Sequence, residues 1–157
     1  MGNPIVDMAN PDSYYPLMVK WLDIIKPKRI LEWGPGLSTQ VMRERCPKAN
    51  IISIEHQKKY YDIAMDQLRG LNIQLFLIEE NENSSMPNYT NPPVFGFFDF
   101  IFVDGRHRVD CLKTSMKLIK KNGIIMLHDA ERLEYQRGIN LFKKVDEGDG
   151  TVCLRHV

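Results

Sequence analysis

Two acidic residues close two apolar runs in the second half of the chain. Asp104 follows Phe98-Asp99-Phe100-Ile101-Phe102-Val103, and Asp129 follows Ile124-Ile125-Met126-Leu127-His128. If these runs are neighbouring strands of a parallel sheet, their carboxyl ends bring Asp104, His128 and Asp129 within reach of one ion or one substrate oxygen. Two carboxylates with room for water and substrate oxygens suit Mg²⁺, whereas the imidazole of His128 is a poor Mg²⁺ ligand and shifts the preference to Mn²⁺, Fe²⁺ or Zn²⁺. An ion held there would orient a hydroxyl and lower its pKa, preparing an oxyanion for attack. His107, three residues after Asp104, can take the proton, because a neutral imidazole titrates near neutral pH. Two metal-free readings stand beside this one: His128 as the base, and Asp129 as the cap of a following helix.

A second constellation lies in Arg29-Ile30-Leu31-Glu32-Trp33-Gly34-Pro35-Gly36-Leu37-Ser38-Thr39. Its apolar first half, without polar alternation, reads as a strand buried on both faces, and Gly-Pro-Gly stops it. Glycines there permit a sharp turn and let a ligand approach the main chain. No Lys-Ser or Lys-Thr follows at P-loop spacing, and the three-glycine dinucleotide fingerprint is incomplete, which argues against NAD. A second buried run, Ile51-Ile52-Ser53-Ile54, ends in Glu55, about where a ribose-binding acid follows such a turn.

On these residues the chain resembles the class I S-adenosylmethionine-dependent methyltransferases from about Arg29 to His128, with Leu31-Glu32-Trp33-Gly34-Pro35-Gly36 as the first motif and Glu55 as the second. The resemblance implies that Glu32, Gly34, Pro35, Gly36 and Ser38 hold the methionyl part of the cofactor, Glu55 the ribose, His56 the adenine face, and one of Glu79, Glu80 or Asn81 the adenine amine. The rim acids narrow it to the catechol O-methyltransferase-like and small-molecule O-methyltransferase group. In that group metal ligands fall at Asp104 and at the pair matching His128-Asp129, a base falls near His107, and Asp104 can also contact the cofactor. The implied reaction is methyl transfer to the oxygen of a small acceptor. A non-catalytic nucleoside-binding module of the same fold is the alternative.

The elements that must position these groups make an α/β domain spanning residues 1–157: a mostly parallel sheet of about seven strands, helices on both faces, and a C-terminal antiparallel hairpin. An arm over Pro4 to Pro11 leads to a helix through Leu17, Trp21, Leu22 and Ile25, capped by Asp12 or Ser13 and ended by Pro27. Amphipathic packing accounts for Trp21, while Tyr14 and Tyr15 remain available to cover a ligand. Ser38 or Thr39 opens the next helix, and Lys58 to Leu68 forms another, with Gly70 past its end. Ile73 to Ile78 is the third strand, and Glu79 to Phe97 is a long loop with one helical turn. Phe95, Phe97, Phe98, Phe100 and Phe102 read as sheet packing. A helix from Val109 through Ile119 closes at Asn122-Gly123, a helix covers Glu131 to Leu141, and Phe142 to Val157 folds as the hairpin around Glu147-Gly148-Asp149-Gly150.

Within 157 residues, 21 Lys and Arg balance 20 Asp and Glu, so no global field draws the chain to nucleic acid or to a membrane. Arg106, Arg108, Arg132 and Arg137 fall near the expected mouth, where they could meet an anionic substrate or simply be solvated. Three cysteines, Cys46, Cys111 and Cys153, fit neither a disulfide framework nor a zinc pattern, which points to a reducing compartment. No signal peptide, myristoylation site or membrane-length apolar run is present, so a cytoplasmic location is expected. The aromatic-rich arm offers a surface for a homodimer.

Overall fold

The computed structural model describes residues 11–157, with side chains from Tyr14 onward. Residues 4–10 of the arm lie outside the described residues; the first helix already begins at Pro11, so Asp12 and Ser13 fall inside its first turn rather than at its cap. Seven strands form one sheet in the order β3-β2-β1-β4-β5-β7-β6. The parallel part consists of β1 (Arg29–Trp33), β2 (Asn50–Glu55), β3 (Gln74–Leu77), β4 (Phe98–Val103) and β5 (Ile119–Leu127). The hairpin β6 (Lys143–Gly148) and β7 (Thr151–Arg155) adds antiparallel beside β5. Its tight turn places Asp149 and Gly150 at φ 46° and 74°, the left-handed pair that matches strand twist.

Alternation along each strand sends side chains to two cores. Ile30, Ile51, Phe100, Phe102, Ile124 and Met126 face α1 (Pro11–Ile25) and α2 (Leu37–Arg45). Leu31, Trp33, Ile54, Ile101, Val103 and Leu127 face the opposite side, where the short α4 (Pro87–Thr90) and α5 (Arg108–Leu118) pack. Between them in sequence, α3 (Lys58–Gln67) covers the β2–β3 side with Ala64 and Leu68. Among the described residues no helix is long and apolar enough to cross a membrane.

Trp21 is buried against the sheet, and its indole N–H donates to Asp146 Oδ2 at 2.9 Å, while Lys20 Nζ reaches the same oxygen at 2.7 Å. The first helix is thereby tied to β6.

Further segments depart from the pattern read in the sequence. Helix α5 stops at Leu118 rather than near Asn122, because Ile119 is extended and pairs with Phe98 at the start of β5. The ladder then jumps to Phe100 and Ile124, and a Cβ on Gly123 would lie 2.6 Å from Ile119 Cδ1. The segment 131–141 is a 3₁₀ turn (Leu133–Tyr135) followed by α6 (Gln136–Ile139), not one helix. The hairpin strand opens at Lys143, one residue later than read, because Phe142 turns back on α6 through its N–H bond to the Ile139 carbonyl. Phe95 and Phe97 do not pack on the sheet: they are 84% and 60% exposed, on a turn whose carbonyls accept from the Arg29 guanidinium.

Candidate active site

The strand order reverses at β1, which lies between β2 and β4, and ligands bind beyond the carboxyl ends of strands at such a point. A cleft of ≈ 1010 Å³ opens there. Pockets for small molecules span about 300–1,000 Å³, so this cleft is at the upper end of that range.

Gly34, Pro35, Gly36 and Ser38 line the cleft. Gly34 has φ +89°, and a Cβ on it would lie 2.5 Å from the Asp104 carbonyl oxygen, so only glycine lets this turn sit against the end of β4. Its N–H donates to the Ile54 carbonyl at 3.1 Å, and that of Gly36 to Thr39 Oγ1 at 3.0 Å. These donors are spent internally. The turn therefore offers a ligand its bare Cα surface and the first turn of α2.

Glu32 does not reach the cleft. It is fully buried behind the turn, where its carboxylate accepts from the Ser38 hydroxyl, from Thr39 Oγ1 at 2.6 Å and from Ser53 Oγ at 2.8 Å. Burial pushes its pKa up to about 7 against the pull of those hydroxyls. Its work is to brace the glycine turn, which corrects the expectation of direct cofactor contact.

Glu55 and His56 line the cleft at the end of β2. Glu55 Oε1 accepts from the main-chain N–H groups of His56 and Gln57 at 2.8 and 2.9 Å, which fixes the carboxylate at the strand end. His56 lies between Glu55 Oε1 (3.2 Å from Nδ1) and Glu82 Oε1 (3.3 Å from Nε2), edge-on to the Tyr89 ring at 5.1 Å. Glu80 is elsewhere: its Oε1 accepts from Asn88 Nδ2 at 2.9 Å and its Oε2 from the Tyr89 N–H at 2.7 Å, so it caps α4. From the same loop, Glu82 and Asn83 face the cleft instead.

At the opposite rim Asp104, His107, His128 and Asp129 also line the cleft. His128 Nδ1 lies 3.0 Å from Asp104 Oδ1. Burial works against a charged imidazole at His128, but the hydrogen bond to Asp104 and the fields of Asp104 and Asp129 outweigh it, and its pKa is raised. The Tyr14 ring, almost fully buried, packs edge-on against His128 at 5.1 Å and against Phe102 at 5.2 Å. Burial, with the charges of Asp104 and Glu32, raises the Tyr14 phenol far above its ordinary range. Tyr15 is exposed. Met86, His107 and Asp129 line the cleft with left-handed φ values of 47°, 48° and 53°, a conformation also held away from it by Lys26, Asn72 and Asp149.

Asp104, His128 and Asp129 each offer a ligand atom, all within 4.8 Å of one another. Arg108 is also there, 3.2 Å from Asp104 Oδ1 and 3.3 Å from Asp129 Oδ2. Sequence reading placed Arg108 near the mouth but missed this pairing, because Asp104 follows a strand and the helix starts only at Arg108, so no helical spacing links the two. Tyr89 was missed as well. Its hydroxyl accepts from the Arg106 N–H at 3.2 Å and would lie 2.0 Å from a Cβ on Gly105, and no local pattern links these positions.

The geometry of the chain is shared by solved methyltransferases. A methyltransferase-like protein from Silicibacter pomeroyi superposes with TM-score 0.76 at 17% identity, covering 92% of this chain and 84% of that one. An O-methyltransferase from Bacillus cereus in complex with SAH gives 0.72 at 17%, covering 97% and 86%. TomG from Streptomyces achromogenes, an O-methyltransferase of tomaymycin synthesis in complex with SAM, gives 0.69 at 15%, covering 95% and 81%. No curated protein matches the chain. A family model does, described as O-methyltransferase and running over residues 5–133, which takes in both strand-end acids and the glycine turn. That match spans most of the sequence, and the chain accordingly belongs to the O-methyltransferase family.

Proposed function

We propose that the protein transfers a methyl group from S-adenosylmethionine to an oxygen of a small hydroxylated molecule. The observation that carries this reading is the single cleft that joins the glycine turn and Glu55 at one end to Asp104 and His107 at the other. The cofactor fits the first end: two glycines remove the side chains that would fill the cradle, and Glu55 offers a carboxylate to the ribose hydroxyls. Bound there, S-adenosylmethionine supplies a methyl group on a positively charged sulfur, open to in-line attack.

The chain's residues do the rest. His56, Met86 and Tyr89 form the wall beyond Glu55 that receives the adenine, in place of Glu80. Tyr14 closes the opposite wall and keeps water from the transfer, which favours a reaction that disperses charge. Asp104, fixed by His128 and Arg108, sets the position of the acceptor side, and holding two reactants in line is the main source of rate for such a transfer. His107, on the strained N-terminus of α5, takes the hydroxyl proton as the oxygen–carbon bond forms. The divalent cation read from Asp104, His128 and Asp129 enters no step.

The test is calorimetric titration with S-adenosylhomocysteine, followed by mass spectrometry of a panel of phenols and sugar alcohols incubated with S-adenosylmethionine. Micromolar binding and a methyl ether product are expected. His107→Gln should leave that affinity within about twofold and lower kcat by about 10²-fold, the scale of one general base. Absence of binding would remove the reading, and product methylated on nitrogen would redirect it. A normal rate in His107→Gln with a lost rate in His128→Gln would move the base to His128.

A further inference from the structure

The carboxyl ends of β4 and β5 gather the donor set of a divalent cation, and they also gather a cation of their own. Arg108 stands in the first turn of α5 with its side chain only 11% exposed. Its Nη2 lies 3.2 Å from Asp104 Oδ1 and its Nη1 3.3 Å from Asp129 Oδ2. The same Nη1 donates to the His128 carbonyl at 2.6 Å, and Nε donates to the Gly105 carbonyl at 2.9 Å. The guanidinium also lies over the Tyr135 ring, 5.4 Å from its centroid. A planar fork of five donors that stays charged at any working pH is thus held by two carboxylates, two carbonyls and an aromatic face.

We infer that Arg108 is the resident cation of this rim, occupying the electrostatic position of a divalent metal, so that the site works without one. The first reason is charge. Asp104 and Asp129 already share a permanent positive partner, and a doubly charged ion would enter against it at a few ångströms in a part-buried site, where water and salt screen weakly. The second is donor geometry. Asp104 Oδ1 serves both the guanidinium and His128 Nδ1, so a metal binding Asp104 through that oxygen would displace two existing partners. The third is that Arg108 cannot leave cheaply. Swinging it out would strip two main-chain carbonyls of their donor and leave two carboxylates facing each other. The third ligand, an imidazole, is in any case poorly matched to Mg²⁺.

Arg108 is then a positioning residue that acts through the carboxylates. It ties the end of β4, through Gly105 and Asp104, to the end of β5, through His128 and Asp129, which is the bridging a metal would otherwise provide. It offers no open coordination position, so the acceptor oxygen is not activated by a Lewis acid and its proton must pass to a side chain. Only this last step rests on the methyl-transfer reading. The placement of Arg108 does not.

The experiment is a Mn²⁺ titration of the whole protein, freed of metal with EDTA and followed by the electron paramagnetic resonance of free Mn²⁺. S-adenosylhomocysteine calorimetry on the same samples reports separately on the cofactor reading. Wild type should bind Mn²⁺ no better than Asp104→Asn does. Arg108→Met, which keeps the bulk and removes the charge, should gain about tenfold or more in Mn²⁺ affinity, and Asp104→Asn in that background should abolish the gain. One Mn²⁺ bound by wild type at micromolar concentration and lost in Asp104→Asn would overturn the inference. So would an Arg108→Met protein that binds no better than wild type. If Arg108→Met does not fold, the comparison of wild type with Asp104→Asn decides alone, equality supporting the inference and a loss overturning it.

Discussion

The two ends of the cleft hold their shape by opposite means. Around the glycine turn one buried carboxylate, Glu32, is held by the neutral hydroxyls of Ser38, Thr39 and Ser53, and the main chain presents the ligand surface. Around Asp104 the structure is a lattice of charges, two carboxylates on one guanidinium with an imidazole beside them. The glycine turn has settled its polar groups internally, while the second end carries its charges at the rim of the cleft. One end is therefore shaped by neutral hydrogen bonds and backbone packing, and the other by opposed charges.

The strongest way to break this division is at Gly34, where the two ends touch. Gly34→Ala puts a Cβ against the Asp104 carbonyl and forces a left-handed backbone, a cost on the order of 3 kcal/mol. The melting temperature should fall by roughly 5–10 °C, and S-adenosylhomocysteine affinity by about 100-fold or more. Unchanged melting would mean that the turn does not lean on β4.

Glu55→Ala sharpens the comparison. S-adenosylhomocysteine binding should weaken about tenfold or more, the scale of a lost charged hydrogen bond, and the melting temperature should fall by a few degrees because the His56 and Gln57 N–H groups lose their acceptor. Equal affinity in variant and wild type would take the ribose away from β2.

The smallest effect is a pH dependence. Glu32 titrates near pH 7 in the folded chain instead of its ordinary 4.5, so its contribution is fully present below about pH 4.5 and is lost as pH rises through 7. Melting curves between pH 5 and 8 should show wild type losing a few degrees that Glu32→Gln does not lose. The raised pKa of His128 gives a slope of the same sign, which should persist in the variant. Parallel curves would place the Glu32 proton elsewhere.

Each end of the cleft was legible in the sequence only in part, for a physical reason. Apolar runs, a Gly-x-Gly turn and acids at strand ends are local signals, and β1, β2, β4 and the positions of Glu55, Asp104 and Asp129 follow from them. Which side of a turn a carboxylate takes is decided by partners far along the chain. Ser53 draws Glu32 inward from 21 positions away, and α4 captures Glu80 while Glu82 faces the cleft. The end of α5 was misread because Ile119 continues the helical spacing, and only its pairing with Phe98 makes it strand.

The bond from Trp21 to Asp146 joins residues 125 positions apart. It secures the helix that carries Tyr14 into the wall of the cleft, and its acceptor lies in β6, which leaves the ribosome after all five parallel strands. During synthesis the parallel strands can assemble first, but α1 has no anchor at that edge until β6 has emerged. A nascent chain can thus own the glycine turn and both strand-end acids while the wall that Tyr14 forms is still unsecured, and the cleft closes on that side only once β6 has emerged.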